Sequence, residues 1–299
     1  RLPPLDGDAD ASSIDAKIGG SALNTAVHLA SILGARSAVA FYACVGQDVF
    51  GKMLEAHIQS ASIKSHVVAC PALCTGSCLV LSGPPGRAFV TASGAAAELG
   101  IGELQPLVEA VREAKGPVHV HFGGIYSYSA TLRRDLPEFI DFLRTQMPGY
   151  RLTVSVDIQG HEAGQVAGVN ELLPHIDLFK GNAAEAEAVC GLKTPEALEK
   201  LSQGRRAVVI TRGASGADFL DAQGQGLAPA HCVEVKDATG AGDAFAAALL
   251  ASWVCGTPLA EAVAKGCAAG ALNCGRLGGC ESPVTVEEID ELMASEGRT

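Results

Sequence analysis

At 299 residues, with 48% apolar and 18% charged side chains, the chain is long enough to bury a large core and too apolar to be disordered. Its net charge of −11 excludes a nucleic-acid surface built on a basic stripe, although a small basic pocket for a phosphorylated ligand stays open. No stretch approaches the roughly 18 consecutive apolar residues of a membrane span, and the opening Arg1-Leu2-Pro3-Pro4 lacks the apolar region of a signal peptide.

Residues 1–17 are polar, with one short apolar element near 12–18. Apolar residues at helical spacing (Ala22, Ala26, Leu29, Ala30, Leu33) predict a helix over 22–33, closed by Gly34. The apolar run 37–45 reads as a buried strand and 49–60 as a helix. Short strands follow at 64–69, 77–82 and 87–91, the last two joined by the turn at 83–86. This cluster predicts an antiparallel flap standing off the main sheet. Residues 1–18 and 64–92 then form a small β lid, and 19–63 with 93–299 the core.

Beyond the flap, helices and strands alternate. Helices are expected at 108–114, 132–146, 170–173 and 183–190, and strands at 118–122, 152–156, 178–179, 207–211 and 217–221. Helices at 242–255, 259–273 and 286–294 close the chain. Such alternation predicts an α/β sheet with helices on both faces. Cys44, Cys190, Cys255 and Cys267 lie in apolar runs, so the ten cysteines point to buried thiols in a reducing cytoplasm rather than to a disulfide scaffold.

Four segments carry chemistry. The first is Asp237-Ala238-Thr239-Gly240-Ala241-Gly242-Asp243, which runs directly into an Ala-rich helix. Small residues at a helix start let unpaired backbone N–H groups meet an anion closely. A carboxylate at Asp243 beside that anion makes sense as a base that takes a proton from a nucleophile; the plainer alternative is an acid that favours the first turn of a helix. The second is Gly19-Gly20-Ser21-Ala22-Leu23-Asn24, where paired glycines precede a helix and Asn24 could bond a sugar hydroxyl; a simple turn is the alternative. The third, Asn182-Ala183-Ala184-Glu185, is either a capping box or a metal–phosphate site. The fourth, Thr211-Arg212-Gly213-Ala214-Ser215-Gly216, is a nucleotide-contacting turn or a hairpin.

In this order and spacing the four segments resemble the PfkB/ribokinase family of carbohydrate kinases, over about residues 18–285. The resemblance implies a three-layer αβα sandwich, ribokinase-like, with a small β-sheet lid. It implies transfer of the ATP γ-phosphate to a hydroxymethyl group of a sugar, with Mg²⁺ and, in many members, a monovalent cation such as K⁺. Asp243 would be the base and Gly240, Ala241 and Gly242 the anion hole. Gly20, Ser21 and Asn24 would contact substrate. Asn182, Glu185, Thr211, Gly213, Gly216 and Asn273 would serve ATP, with Glu185 reaching Mg²⁺ through water. Asp237, Thr239 and Ser282 would match the cation site, and Lys180 is either a phosphate contact or a solvated strand-end lysine. A homodimer through the lid is a further expectation. The family's opening strand, which carries a substrate-binding Asp, has no counterpart in this sequence. A nucleoside kinase and a non-catalytic ligand-binding relative on the same fold are the alternatives.

Three decoys stand beside these motifs. Gly46-Gln47-Asp48-Val49-Phe50-Gly51-Lys52-Met53 is nearly a P-loop, but Met53 replaces the hydroxyl residue that would hold Mg²⁺. Cys70, Cys74 and Cys78, near His66, lack the paired spacing of a zinc site. His119 and His121 fall on one face of a strand, as core or cleft-lining residues.

Overall fold

The computed structural model describes residues 13–83, 86–147, 151–160, 168–203 and 207–296. The part of the expected lid at residues 1–12 lies outside them. α1 (Ser21–Leu33) begins at Gly20, whose φ of 104° suits glycine, and ends at Gly34. β1 (Ala40–Gly46), α2 (Val49–Ser60) and β2 (Lys64–Cys70) form a β-α-β unit. β1 and β2 run parallel, from Ala40 opposite Lys64 to Gly46 opposite Cys70. β3 (Ser77–Gly83) and β4 (Gly86–Ala92) make a separate antiparallel pair. The antiparallel flap expected over 64–92 is therefore confined to β3 and β4. The twelve residues of α2 supply the long crossover that a parallel pair requires, and they take β2 with β1.

Next come α3 (Gln105–Glu113), β5 (Val118–Gly123), α4 (Ala130–Thr145), β6 (Leu152–Asp157) and α5 (Val169–Leu172). They are followed by β7 (Leu178–Asn182), α6 (Ala183–Cys190), α7 (Glu196–Ser202), β8 (Ala207–Thr211), β9 (Ala217–Asp221) and β10 (Gly224–Ala228). The chain closes with α8 (Ala241–Trp253), α9 (Leu259–Cys274) and α10 (Val286–Glu296). The six-stranded sheet has the order β10-β9-β8-β7-β6-β5, with β5 to β8 parallel and β9 and β10 antiparallel at one edge.

Alternation along each strand builds two cores. Val154, Val156, Phe179, Val208 and Ile210 pack with Leu132, Leu136 and Ile140 of α4 and Leu198 of α7. Leu178 and Val209, one residue out of phase, pack on the other face with Phe245 and Leu249 of α8 and Val263 of α9. The result is the three-layer sandwich. α8 and α9 lie close because Gly266 faces the Phe245 ring, where a Cβ would come within 2.9 Å. No described helix is long and apolar enough to cross a membrane.

Candidate active site

Parallel strands direct their carboxyl ends to one edge of the sheet, the usual ligand side of such folds. Two charged residues sit there on adjacent strands. Asp157 closes β6 and lies opposite Lys180 of β7, and the Lys180 Nζ donates to Asp157 Oδ2 at 2.7 Å. Both are buried, at 2% and 5% exposure. Burial works against the ammonium, but the charge and hydrogen bond of Asp157 outweigh it and hold the Lys180 pKa above the ordinary lysine value. Lys180 is thus no solvated strand-end lysine.

The first turn of α8 stands over this pair. Gly240 is its N-cap at φ 76°, and a Cβ there would meet the Gly279 backbone at 2.6 Å, so only glycine fits. A Cβ on Gly242 would lie 3.4 Å from Lys180 Nζ, so the ammonium sits directly beside the turn. Amides at the helix start and a lysine converge on one small volume, an arrangement suited to a phosphoryl group.

Asp243, 5% exposed, completes the group. Ser21 Oγ donates to its Oδ1 at 2.9 Å and Asn24 Nδ2 to its Oδ2 at 2.8 Å. Burial first, then the charge of Asp157, push its pKa up to about 6, against the opposing pull of Asn24, Lys180 and Ser21. A carboxyl held near neutrality can be ionised at working pH and still accept a proton. Ser21 and Asn24, expected to contact substrate, here grip Asp243. The amide oxygen of Asn24, Oδ1, is buried without a hydrogen-bond partner among the described residues. Gly20 has open space where a Cβ would stand.

Asn182 and Glu185 form a full capping box at α6: Asn182 Oδ1 accepts from Glu185 N at 3.0 Å, and Glu185 Oε2 from Asn182 N at 2.7 Å. Glu185 Oε1 accepts from Gly160 N at 3.2 Å. Burial and the charge of Asp157 raise the Glu185 pKa, which places the carboxylate in the same electrostatic cluster. The motif is therefore a capping box whose acid also feels the charge of Asp157. Thr211 lies opposite Asn182 in the sheet register. The turn beyond it has Gly213 and Gly216 at φ 55° and 86°, and a Cβ on Gly216 would come within 2.9 Å of the Ala230 nitrogen, so that glycine serves packing.

Around the α8 N-terminus, Asp237 Oδ1 accepts from Thr239 N at 2.9 Å and Thr239 Oγ1 at 2.7 Å, and its Oδ2 from Gly278 N at 3.1 Å. Asn273 is buried in α9 and donates to the Thr239 carbonyl at 2.8 Å, holding the loop that leads into α8. The Ser282 carbonyl accepts from Arg276 at 2.6 Å. The P-loop spelling at 46–53 is an N-cap: Asp48 accepts from Gly51 N at 2.9 Å, Thr75 N at 2.8 Å and Thr75 Oγ1 at 2.7 Å, and Lys52 is exposed. The Gly51 amide is spent on Asp48 and the Gly46 amide on Thr75 Oγ1, at 3.0 Å. Cys74 and Cys78 are exposed, and Cys78 accepts from Thr91 Oγ1. His119 and His121 share Ser155 Oγ, at 2.8 Å each, within the layer facing α8. Asp157 is the residue that sequence reasoning missed. Its signal was an acid closing an apolar strand.

Comparison with known proteins matches this geometry to a family. The model of the pfkB family carbohydrate kinases covers residues 4–286. The chain belongs to the pfkB family. It is 31% identical over 287 residues to a bifunctional protein HldE of Methylococcus capsulatus, covering 93% of this chain and 56% of that one, so it spans little over half that relative's length. A ribokinase-type structure from E. coli with ATP and Mg²⁺ superposes at a TM-score of 0.84 and 22% identity, covering 98% of this chain and 94% of the other. A fructokinase double mutant of Vibrio cholerae with fructose, ADP and potassium gives 0.75 and 22%, with 92% and 90% covered. The pfkB-family chain thus has a ribokinase-like fold.

Proposed function

We propose that the protein transfers the γ-phosphate of ATP to a hydroxymethyl group of a sugar or sugar-like substrate. The observation that carries this reading is Asp243, pushed up to about 6, fixed by two hydrogen bonds at the start of a helix whose first turn abuts the Lys180 ammonium. The substrate hydroxyl donates to Asp243. As its oxygen attacks the γ-phosphorus, the proton passes to the carboxylate and the bond to the β-phosphate oxygen breaks, releasing ADP. Backbone N–H groups at Gly240, Ala241 and Gly242, with Lys180, stabilise the charge on the transferring group. Gly20 and the unpaired acceptor Asn24 Oδ1 would face the sugar.

Glu185 and Asp157 supply hard oxygen donors of the kind Mg²⁺ takes through water, and Mg²⁺ would neutralise phosphate charge. Asn182, Thr211, Gly213 and Gly216, at the ends of β7 and β8, would flank the nucleotide, while Asn273 acts through Thr239. A potassium-like cation would rest on Asp237 and Thr239, with Ser282 contributing its hydroxyl because Arg276 already holds its carbonyl. The pair β3–β4 would be the lid, and its exposed Leu79 and Val90, 56% and 57%, would meet substrate or a second copy. The test is a panel of sugars and nucleosides with Mg-ATP and the full-length gene product. Turnover of a sugar supports the reading, nucleoside-only turnover moves the substrate class, and no phosphorylated product from either would sink it.

A further inference from the structure

α1 buries four polar side chains on one face: Ser21, Asn24, Thr25 and His28, spaced by three or four residues. The first two hold the Asp243 carboxylate, and Thr25 Oγ1 approaches the Asp243 carbonyl at 3.5 Å. His28 is fully buried, at 0% exposure, and the chemistry above does not use it. Its Nδ1 accepts from Val284 N at 3.1 Å, so that nitrogen carries no proton. The proton is then on Nε2, which donates to the Gly279 carbonyl at 2.9 Å. One imidazole ring thereby ties together both ends of the loop 279–284.

Gly279 is wedged into the site. A Cβ on Gly240 would lie 2.6 Å from the Gly279 carbonyl oxygen, and a Cβ on Gly279 would lie 2.6 Å from Asn24 Nδ2. The backbone of Gly279 therefore fills the space between the N-cap of α8 and the side chain that grips Asp243. Cys280, next along, has its Sγ 3.6 Å from His57 Nε2 and 3.9 Å from the Ile18 carbonyl oxygen, and its amide donates to Glu281 Oε2 at 3.4 Å. Those contacts leave the Val284 end untouched. We propose that His28 is a positioning residue for phosphoryl transfer: by holding Gly279 against Gly240 and Asn24 it sets the anion hole and the Asp243 carboxylate relative to one another. The inference rests on the proposed kinase reading for its chemistry and on geometry alone for the coupling. Burial keeps the imidazole neutral, which the acceptor role of Nδ1 requires.

Two substitutions separate positioning from packing. In His28→Gln the amide nitrogen reaches where Nε2 stood and still donates to Gly279. In His28→Asn the amide oxygen stands where Nδ1 stood, keeps Val284 and loses Gly279. Each leaves one buried partner unpaired, so their losses in Tm should be alike. His28→Asn should lower kcat about 10- to 100-fold, as small misplacements of a reacting group do, with faster hydrogen exchange in peptides covering 237–243 as well as 278–284. His28→Gln should keep kcat within about threefold and exchange at 237–243 unchanged. Equal kcat losses in both variants that track Tm would reduce His28 to a core residue, as would parental exchange at 237–243 in His28→Asn. A parent without kinase activity would refute the function reading, and the exchange comparison would still decide the role of His28.

Discussion

Replacing Asp243 by Asn removes one charge and almost no volume, and both hydrogen bonds can survive. Asn24 Nδ2 can still donate to the new amide oxygen, and the Ser21 hydroxyl can rotate to accept from the new amide nitrogen. What disappears is a buried anion. The Asp243 pKa stands at about 6 in the fold against 3.8 as the ordinary value, a gap of about 2 units, with burial its main cause. At 1.36 kcal/mol per unit, ionised Asp243 costs the folded state about 3 kcal/mol. The sign follows from proton binding. Between about pH 4 and 6 the folded protein holds a proton that the unfolded chain releases, so the parent loses stability as pH rises through that window. Below it the carboxyl is neutral in both states and the penalty vanishes.

Asp243→Asn should therefore match the parent in urea unfolding near pH 3.5, gain on it from pH 4 to 6, and stay ahead by up to about 3 kcal/mol at pH 7 to 8. Its kcat should fall by about two to four orders of magnitude, the usual worth of a positioned base. In the parent, kcat/KM should rise with pH through about 6, because the base must be ionised to accept the proton. A stability difference that is flat across pH 4–8 would refute the buried-anion argument. A kcat within tenfold of the parent would remove Asp243 from the chemistry.

Gly242→Val places a branched side chain against Lys180 Nζ, where a phosphoryl group should pass, and should abolish turnover with little change in the Tm of the ligand-free protein; unchanged turnover would locate the phosphates elsewhere. Lys180→Met should cost about 10²-fold in kcat or more, and about 3–5 kcal/mol of stability because Asp157 is left buried and unpaired. Lys52→Ala, on an exposed lysine of an N-cap turn, should leave kcat within about twofold, and a loss of activity there would restore the P-loop reading. Hydrogen exchange in β3 and β4 should slow when substrate and a non-hydrolysable ATP analogue bind, since phosphoryl transfer needs water excluded; equal exchange in a protein shown to bind both would make the pair a fixed part of the fold.

The layered architecture was legible because periodicity is a local signal. Val208 and Val209, or Leu178 and Phe179, face opposite cores simply by alternation, and the helices between them read at their own period. The pairing of β2 was misjudged for the complementary reason. Strand pairing is non-local, and nothing in the spelling of 64–70 says whether its neighbour is the preceding strand across a helix or the following one across a turn. The Gly-rich segment at 237–243 was legible as a helix start with small residues, the feature on which the proposed anion site rests.

The arrangement around that helix start was not legible, and the reason is specific to α1. Its sequence reads as an apolar helix interrupted by polar residues, among them Ser21, Asn24, Thr25 and His28, and polar residues on a helix are ordinarily assigned to solvent. Here the stripe they form is turned inward, because α1 packs against the first turn of α8, where a buried carboxylate must be held. A carboxylate buried on its own would shed its charge. Two donors to Asp243 and a nearby ammonium pull its pKa down toward the range in which a base can work, while burial keeps it from falling further. The polar face of α1 is thus the counterpart of the acid at position 243. Neither is interpretable alone, and the 219 residues separating Asn24 from Asp243 are why only the folded chain shows them as one device.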